Sequence, residues 1–258
     1  MLLDEIVITY PNYEIKTCQT LAEYTLRSLT VNDELNLKSS AINPNNAAKL
    51  LNKVLYNCII KKPEEIDSYE KWISMTTFQD RQAMIYGLYH ATYGDEYTVS
   101  NVCSECDKLS SYKIKLSSKG FTIDYYPKGK FEILKESFEV LLPVSNIKFI
   151  IKYPTLDKEE NVLKINDNVN ITDDLEIYLF YVDSVIYNNE TIDVKNDLLN
   201  FVNFIKTLPS GDKKILNKFI MDNMLKYKVE AIYKANCKSC GATNTINIDF
   251  VTQFFRSL

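Results

Sequence analysis

Between Ala47 and Ile59 the apolar side chains fall at Ala47, Leu50, Leu51, Val54, Leu55, Cys58 and Ile59, one stripe at helical spacing. Asn43-Pro44-Asn45 supplies a start signal for that helix. Ahead of it, Ile6–Tyr10 and Tyr24–Leu29 read as strands. A second helix is predicted over Thr77–Thr92, with Gly94 as its stop. Phe138–Leu142 and Ile147–Tyr153 flank Pro143-Val144-Ser145-Asn146 and predict a hairpin. Thr172-Asp173-Asp174 then caps a helix whose apolar face holds Leu175, Tyr178, Leu179, Val182 and Ile186. Two more helices, Val194–Thr207 and Asp212–Leu225, are separated by Leu208-Pro209-Ser210-Gly211. The pattern is that of an α+β protein of helical segments and β-hairpins.

Near the middle and near the end of the chain the pattern changes in the same way twice. Tyr97–Val102 precedes Cys103-Ser-Glu-Cys106, and Ser111–Leu116 alternates apolar and basic residues after it. Lys226–Lys234, with Tyr227, Val229, Ala231 and Tyr233 on one face, precedes Cys237-Lys-Ser-Cys240. Thr245–Phe250 follows, with Ile246, Ile248 and Phe250 on one face. Each unit reads helix, strand, Cys-x-x-Cys, strand, a degenerate internal repeat. The expected division is 1–120, ending in the first knuckle, and 121–258, ending in the second.

A Cys-x-x-Cys at the tip of a hairpin presents two thiolates together, and zinc takes four ligands in a tetrahedron. The residue after the second cysteine favours a left-handed backbone, which suits Gly241 and is tolerable for Asp107. The chain has one histidine, His90, and no third pair, so the economical site is one structural Zn2+ on Cys103, Cys106, Cys237 and Cys240, a four-cysteine zinc ribbon. Closing the loop of about 130 residues between the knuckles costs about 4 kcal/mol. A structural zinc site contributes roughly 10–16 kcal/mol. A thioredoxin-type pair would open a helix, whereas both pairs here run into strand-like sequence. Unmetallated core thiols are the remaining alternative. Four protein ligands leave no coordination position for water or substrate, so the site would hold shape and perform no reaction. Cys58 lies on the helical stripe and reads as a small core residue, and Cys18 reads the same way.

Composition narrows the function classes. With 46% hydrophobic and 25% charged residues the chain has the balance of a soluble globular protein. The net charge of -4 and pI of about 5.3 argue against a general polyanion binder. Met1–Ile6 has no basic n-region, and the apolar runs are too short to span a bilayer. Folding in a reducing cytosol is expected, which favours metal ligation over disulfides. No Walker loop, Gly-x-Ser-x-Gly or catalytic triad pattern occurs, and His90 reads as a surface or satisfied core histidine, so no enzyme is expected. "NDNVNITDD" (166–174) lacks EF-hand spacing and reads as a polar loop. Lys108, Lys113, Lys115, Lys119, Lys226, Lys228, Lys234 and Lys238, interleaved with Tyr112, Tyr227 and Tyr233, permit a zinc-ribbon nucleic-acid surface as the alternative function. The simpler account has these lysines offsetting the formal charge of -2 on a four-thiolate zinc.

The order of motifs resembles the baseplate hub protein family of T-even-type contractile-tailed phages. The likeness is carried by "IKYPTL" (151–156), "ITDDLEIYLFYVDSVIY" (171–187), "FVNFIKTLPSGDKKILNKFI" (201–220) and "CKSCGATNTINIDFVTQFF" (237–255). "YTLRSLTVNDELNL" (24–37) looks like the family's entry of a strand followed by a helix. Met1–Thr20 has no counterpart, and Ile248-Asp249-Phe250-Val251 stands where family members lead into the final Phe-Phe with Leu-x-Gly-Leu. The resemblance implies a structural or assembly subunit of the tail baseplate, located in the virion and in host cytoplasm during assembly. Its partners would be other baseplate or tail proteins, with no nucleic acid, membrane or small-molecule substrate.

Overall fold

The computed structural model describes residues 8–40, 44–117, 121–166, 173–188 and 190–248, and the chain is α+β. Strands β1 (Asn12–Lys16) and β2 (Glu23–Arg27) pair antiparallel, Ile15 opposite Tyr24, and β2 carries β3 (Ile59–Lys61) on its other side. Helices α1 (Val31–Ser40), α2 (Pro44–Asn57), α3 (Tyr69–Met75) and α4 (Phe78–Tyr93) share one core with this sheet, α4 packing directly on β1 and β2. Thr77 and Asp80 cap α4 reciprocally, and Gly94 (φ 79) ends it. Gly87 brings α4 against β1: a Cβ there would stand 3.1 Å from the Ile15 side chain. Strands β4 (Glu96–Val102) and β5 (Leu109–Lys115) form a two-stranded ribbon, and β6 (Phe121–Ile123) follows.

The hairpin β7 (Phe138–Leu142) and β8 (Ile147–Ile151) then leads to helices α5 (Leu156–Asn166) and α6 (Asp173–Tyr181). β9 (Val182–Tyr187) and β10 (Glu190–Asp193) complete a four-stranded antiparallel sheet in the order β10-β9-β8-β7. Helices α7 (Leu198–Thr207, capped by Asp197) and α8 (Ser210–Asn223) pack on it, placing Phe201 and Phe204 beside Phe149. Finally β11 (Val229–Asn236) pairs with β12 (Thr243–Asn247) on one side and β6 on the other.

The helix expected from Val194 begins at Leu198, after a 3-10 turn at Val194–Asn196, and two other limits differ further from expectation. Residues 8–11 form no strand, and pairing starts at Asn12 beyond Pro11, whose ring nitrogen has no proton to donate; Ile6 and Val7 lie outside the described residues. The helix expected through Ile186 ends at Tyr181. Val182–Tyr187 is β9, in register with β8 through Val185 opposite Phe149. β-branched Val182, Val185 and Ile186 favour that pleated surface. A register shift at Ile150/Ile151 lets Val182 and Val185 both be buried, so a strand carries spacing that looks helical. The caps at Asn43 and Thr172, the "NDNVNITDD" loop, Lys119, Asp249, Phe250 and the final Phe-Phe lie wholly or partly outside the described residues.

The apolar interior falls into two clusters. One joins residues from Ile15 to Leu116 with Leu156 and with Ala231–Ile248, and the other runs from Tyr126 to Met224. Each lobe sends a side chain into the other: Leu21 packs on the second cluster, Phe131 and Leu156 on the first. Leu21 (φ 57) and Phe131 (φ 61) both hold left-handed backbone, which costs bulky residues energy that the seam around them must offset. The seam is also polar. The buried Asp80 carboxylate accepts from the Gln19 (2.8 Å) and Thr20 (3.2 Å) amides, while burial pushes its pKa up. Arg81 forms a two-point ion pair with Glu159, and Glu160 accepts from Asn52 and from the Tyr69 hydroxyl at 2.6 Å.

Candidate metal centre

The two knuckles are built by the same backbone bonds. In the first, the Cys103 amide donates to the Lys108 carbonyl (3.1 Å) and the Asp107 amide to the Cys103 carbonyl (3.0 Å). In the second, the Cys237 amide donates to the Ala242 carbonyl (2.8 Å) and the Gly241 amide to the Cys237 carbonyl (2.9 Å). Closing the loop this way puts the residue after the second cysteine at positive φ: 55 at Asp107 and 77 at Gly241. A Cβ on Gly241 would meet nothing within 4 Å, so the backbone angle alone favours glycine there. The turn also aims amides at sulfur. Glu105 N–H approaches Cys103 Sγ at 3.5 Å, and Ser239 N–H approaches Cys237 Sγ at 3.4 Å.

The tertiary fold brings the tips together. The Sγ atoms of Cys103 and Cys240 are 3.7 Å apart, as are those of Cys106 and Cys237, and all four lie within 4.8 Å of one another. An ion about 2.3 Å from each thiolate at tetrahedral angles separates neighbouring sulfurs by about 3.8 Å. The four cysteines are thus near enough to share one metal ion, and all four are free of disulfides. Cys103 and Cys237 are buried, Cys106 is half-buried and Cys240 is exposed. β6 contributes to the juxtaposition: the chain leaving the first knuckle adds directly to β11, Phe121 opposite Ala231. Lys238 closes the side of the site, with Nζ 2.5 Å from the Ser111 carbonyl and 5.5 Å above the Tyr112 ring.

The four thiols differ in acidity. The Cys240 and Ser239 amides lower the Cys237 pKa to about 6. The Glu105 amide, then the Asn244 side chain, lowers that of Cys103. The Lys108 amide acts to lower Cys106 as well, but hydrogen bonding with Cys240 and the other sulfurs lifts it to about 12. Cys240 is likewise raised: the Ala242 amide and Cys106 act to lower it, but Cys103 and Cys237 outweigh them. One thiol of each pair is therefore more acidic than its partner, and a bound cation would favour ionisation of all four.

The remaining sequence candidates have settled roles. Cys18 and Cys58 are buried in the first cluster, where burial raises both thiol pKa values, that of Cys58 to about 12. His90 Nε2 lies 2.9 Å from the Tyr86 hydroxyl, and its ring stacks on Tyr13 at 4.5 Å. A largely apolar hollow of about 510 Å³ opens in the second lobe between β9, β10 and α7. Its carboxylates, Asp193 and Asp197, are occupied in capping the Lys195 and Asn200 amides. Asn244 went unnoticed in the sequence. It shares strand parity with Ile246 and Ile248, so a polar residue at an inward position was the available signal.

Residues 10–256 match the model of a protein family described as T4 bacteriophage base plate protein. The chain therefore belongs to that family of baseplate proteins, which implies a place in the virion tail and contact with other tail proteins. The match begins within Met1–Thr20, the stretch that had no counterpart in the sequence resemblance. No curated protein and no solved structure matches the chain. Among the described residues no helix is long and apolar enough to cross a membrane.

Proposed function

We propose that this baseplate protein is a structural or assembly subunit of the hub region, and that Cys103, Cys106, Cys237 and Cys240 bind one structural Zn2+ as a four-cysteine ribbon. The observation that carries the metal reading is the convergence of four sulfurs from knuckles about 130 residues apart, with cross-pair distances of 3.7 Å. Held by these four thiolates, zinc would supply a redox-inert cross-link. The chain's own residues do the rest: turn amides neutralise thiolate charge, the knuckle loops orient the sulfurs, and β6 and Lys238 hold the ribbons side by side. Full protein ligation leaves no site for catalysis, so the role is non-enzymatic and the rigid lobe offers surface to neighbouring tail subunits. Several basic residues that could face a nucleic acid are instead engaged within the chain. Lys238 bonds Ser111, and Lys228 pairs with Glu230 at 3.1 Å.

Metal analysis of purified protein tests the site: one zinc per chain is expected, and zero or two overturns it. Mass spectrometry and imaging of tails and assembly intermediates test the location. Absence from both sinks the hub assignment, and salt-sensitive association with DNA or RNA would favour the nucleic-acid alternative.

A further inference from the structure

Asn244 is 5% exposed and occupies an inward strand position that Ile246 and Ile248 continue. A buried amide there is costly unless its polar atoms are bonded. Its bonds all converge on the knuckles. Oδ1 accepts from the Ser104 amide at 3.2 Å, and Nδ2 donates to the Ala242 carbonyl at 3.1 Å and to Cys103 Sγ at 3.5 Å. The amide orientation is unambiguous, since a backbone N–H can only donate and a carbonyl only accept. With Oδ1 tied to Ser104, the N–H on the other side must face the sulfur.

This contact breaks the near-twofold likeness of the knuckles. Aligning Cys106 with Cys240 places Ser110 where Asn244 stands, and Ser110 is also buried. Among the described residues no bond joins the Ser110 hydroxyl to Cys237. Among the described residues, Cys103 is therefore the one cysteine of the four with a side-chain amide donor from the opposite hairpin, besides the Glu105 amide. We infer that Asn244 is the positioning residue of the metal site: it fixes the Cys103 sulfur and the first knuckle from the second hairpin, and disperses thiolate charge by an N–H···S bond. The inference rests on the metal reading above. Outer-shell partners of this kind commonly change metal affinity by about 10–100-fold when removed.

The test uses the full-length chain loaded with zinc or with cobalt. Asn244→Leu keeps volume and suits the inward strand face but removes the donor, and Asn244→Asp replaces the donor with negative charge. Transfer of zinc to a chromogenic chelator is expected to become about 10–100-fold faster in Asn244→Leu and faster still in Asn244→Asp. Cobalt-loaded Asn244→Leu should shift its thiolate-to-metal charge-transfer band to lower energy, a change that packing loss alone does not cause. Unchanged zinc release together with an unchanged cobalt spectrum overturns the role of Asn244 while leaving the metal site standing. A wild-type chain that binds no metal overturns both.

Discussion

The two lobes close their cores by different means. The buried core of the second comes from one stretch of chain, Tyr126 to Met224, with Leu21 packed against it, and its sheet, α7 and α8 bury Phe149, Leu142 and Leu216. The first is discontinuous: Ala231, Ala235, Ile246 and Ile248 return to it only after the whole second lobe has intervened. Holding so distant a segment costs loop entropy of about 4 kcal/mol. The four cysteines sit at that closure, where a cross-link is most useful.

The largest expected effect tests this contrast directly. Replacing Cys103 and Cys237 with serine should abolish metal binding and forfeit on the order of 10 kcal/mol of coupled binding and folding. Hydrogen exchange should then report fast amides in β11 and β12 while β7–β9 stay protected; equal loss in both lobes would mean they do not close independently. The converse lesion is Phe149→Ala in the second core, expected to cost about 3–5 kcal/mol. Zinc content should remain at one per chain, and loss of metal here would refute separate closure. At the seam, Arg81→Met strands the buried Glu159 carboxylate and should cost about 3–5 kcal/mol, read from denaturant midpoints. Rescue by Glu159→Gln in the double mutant distinguishes the stranded charge from lost packing.

Smaller effects separate the knuckles. Gly241→Ala should cost about 1–2 kcal/mol because of its positive φ. Asp107→Gly should stay near neutral, relief of strain being offset by backbone entropy. Similar losses at both positions would show that some other feature governs the turns. The smallest concerns pH. Burial acts to raise the Asp33 pKa, but Arg27 at 2.7 Å and the Thr30 amide and hydroxyl hold it below the ordinary value. A depressed carboxylate stabilises above its unfolded pKa of about 3.9 and loses that contribution as pH falls through the folded value. The stability gap between wild type and Asp33→Asn, about 1 kcal/mol at neutral pH, should therefore shrink below about pH 4. A gap that persists in acid would assign the effect to packing.

Much of this was legible from residues alone, where a signal is local. The α2 stripe, the helix from Thr77 with Gly94 as its stop, the β7–β8 hairpin and the cysteine pairs all depend on neighbours a few positions away. The β9 boundary was not, because a bulge against β8 made a strand mimic helical spacing. Nor were β6 and β10, whose three and four residues carry too little pattern to mark a strand.

The chain's sequence by itself determined that two like knuckles exist, and the left-handed positions Asp107 and Gly241 that shape them. Only the tertiary structure decided that β6 joins β11, that the C-terminal ribbon completes the first core, and that Asn244 reaches Cys103. Those are contacts over 100 residues or more. Such pairings depend on how two lobes pack, and no short-range periodicity records that.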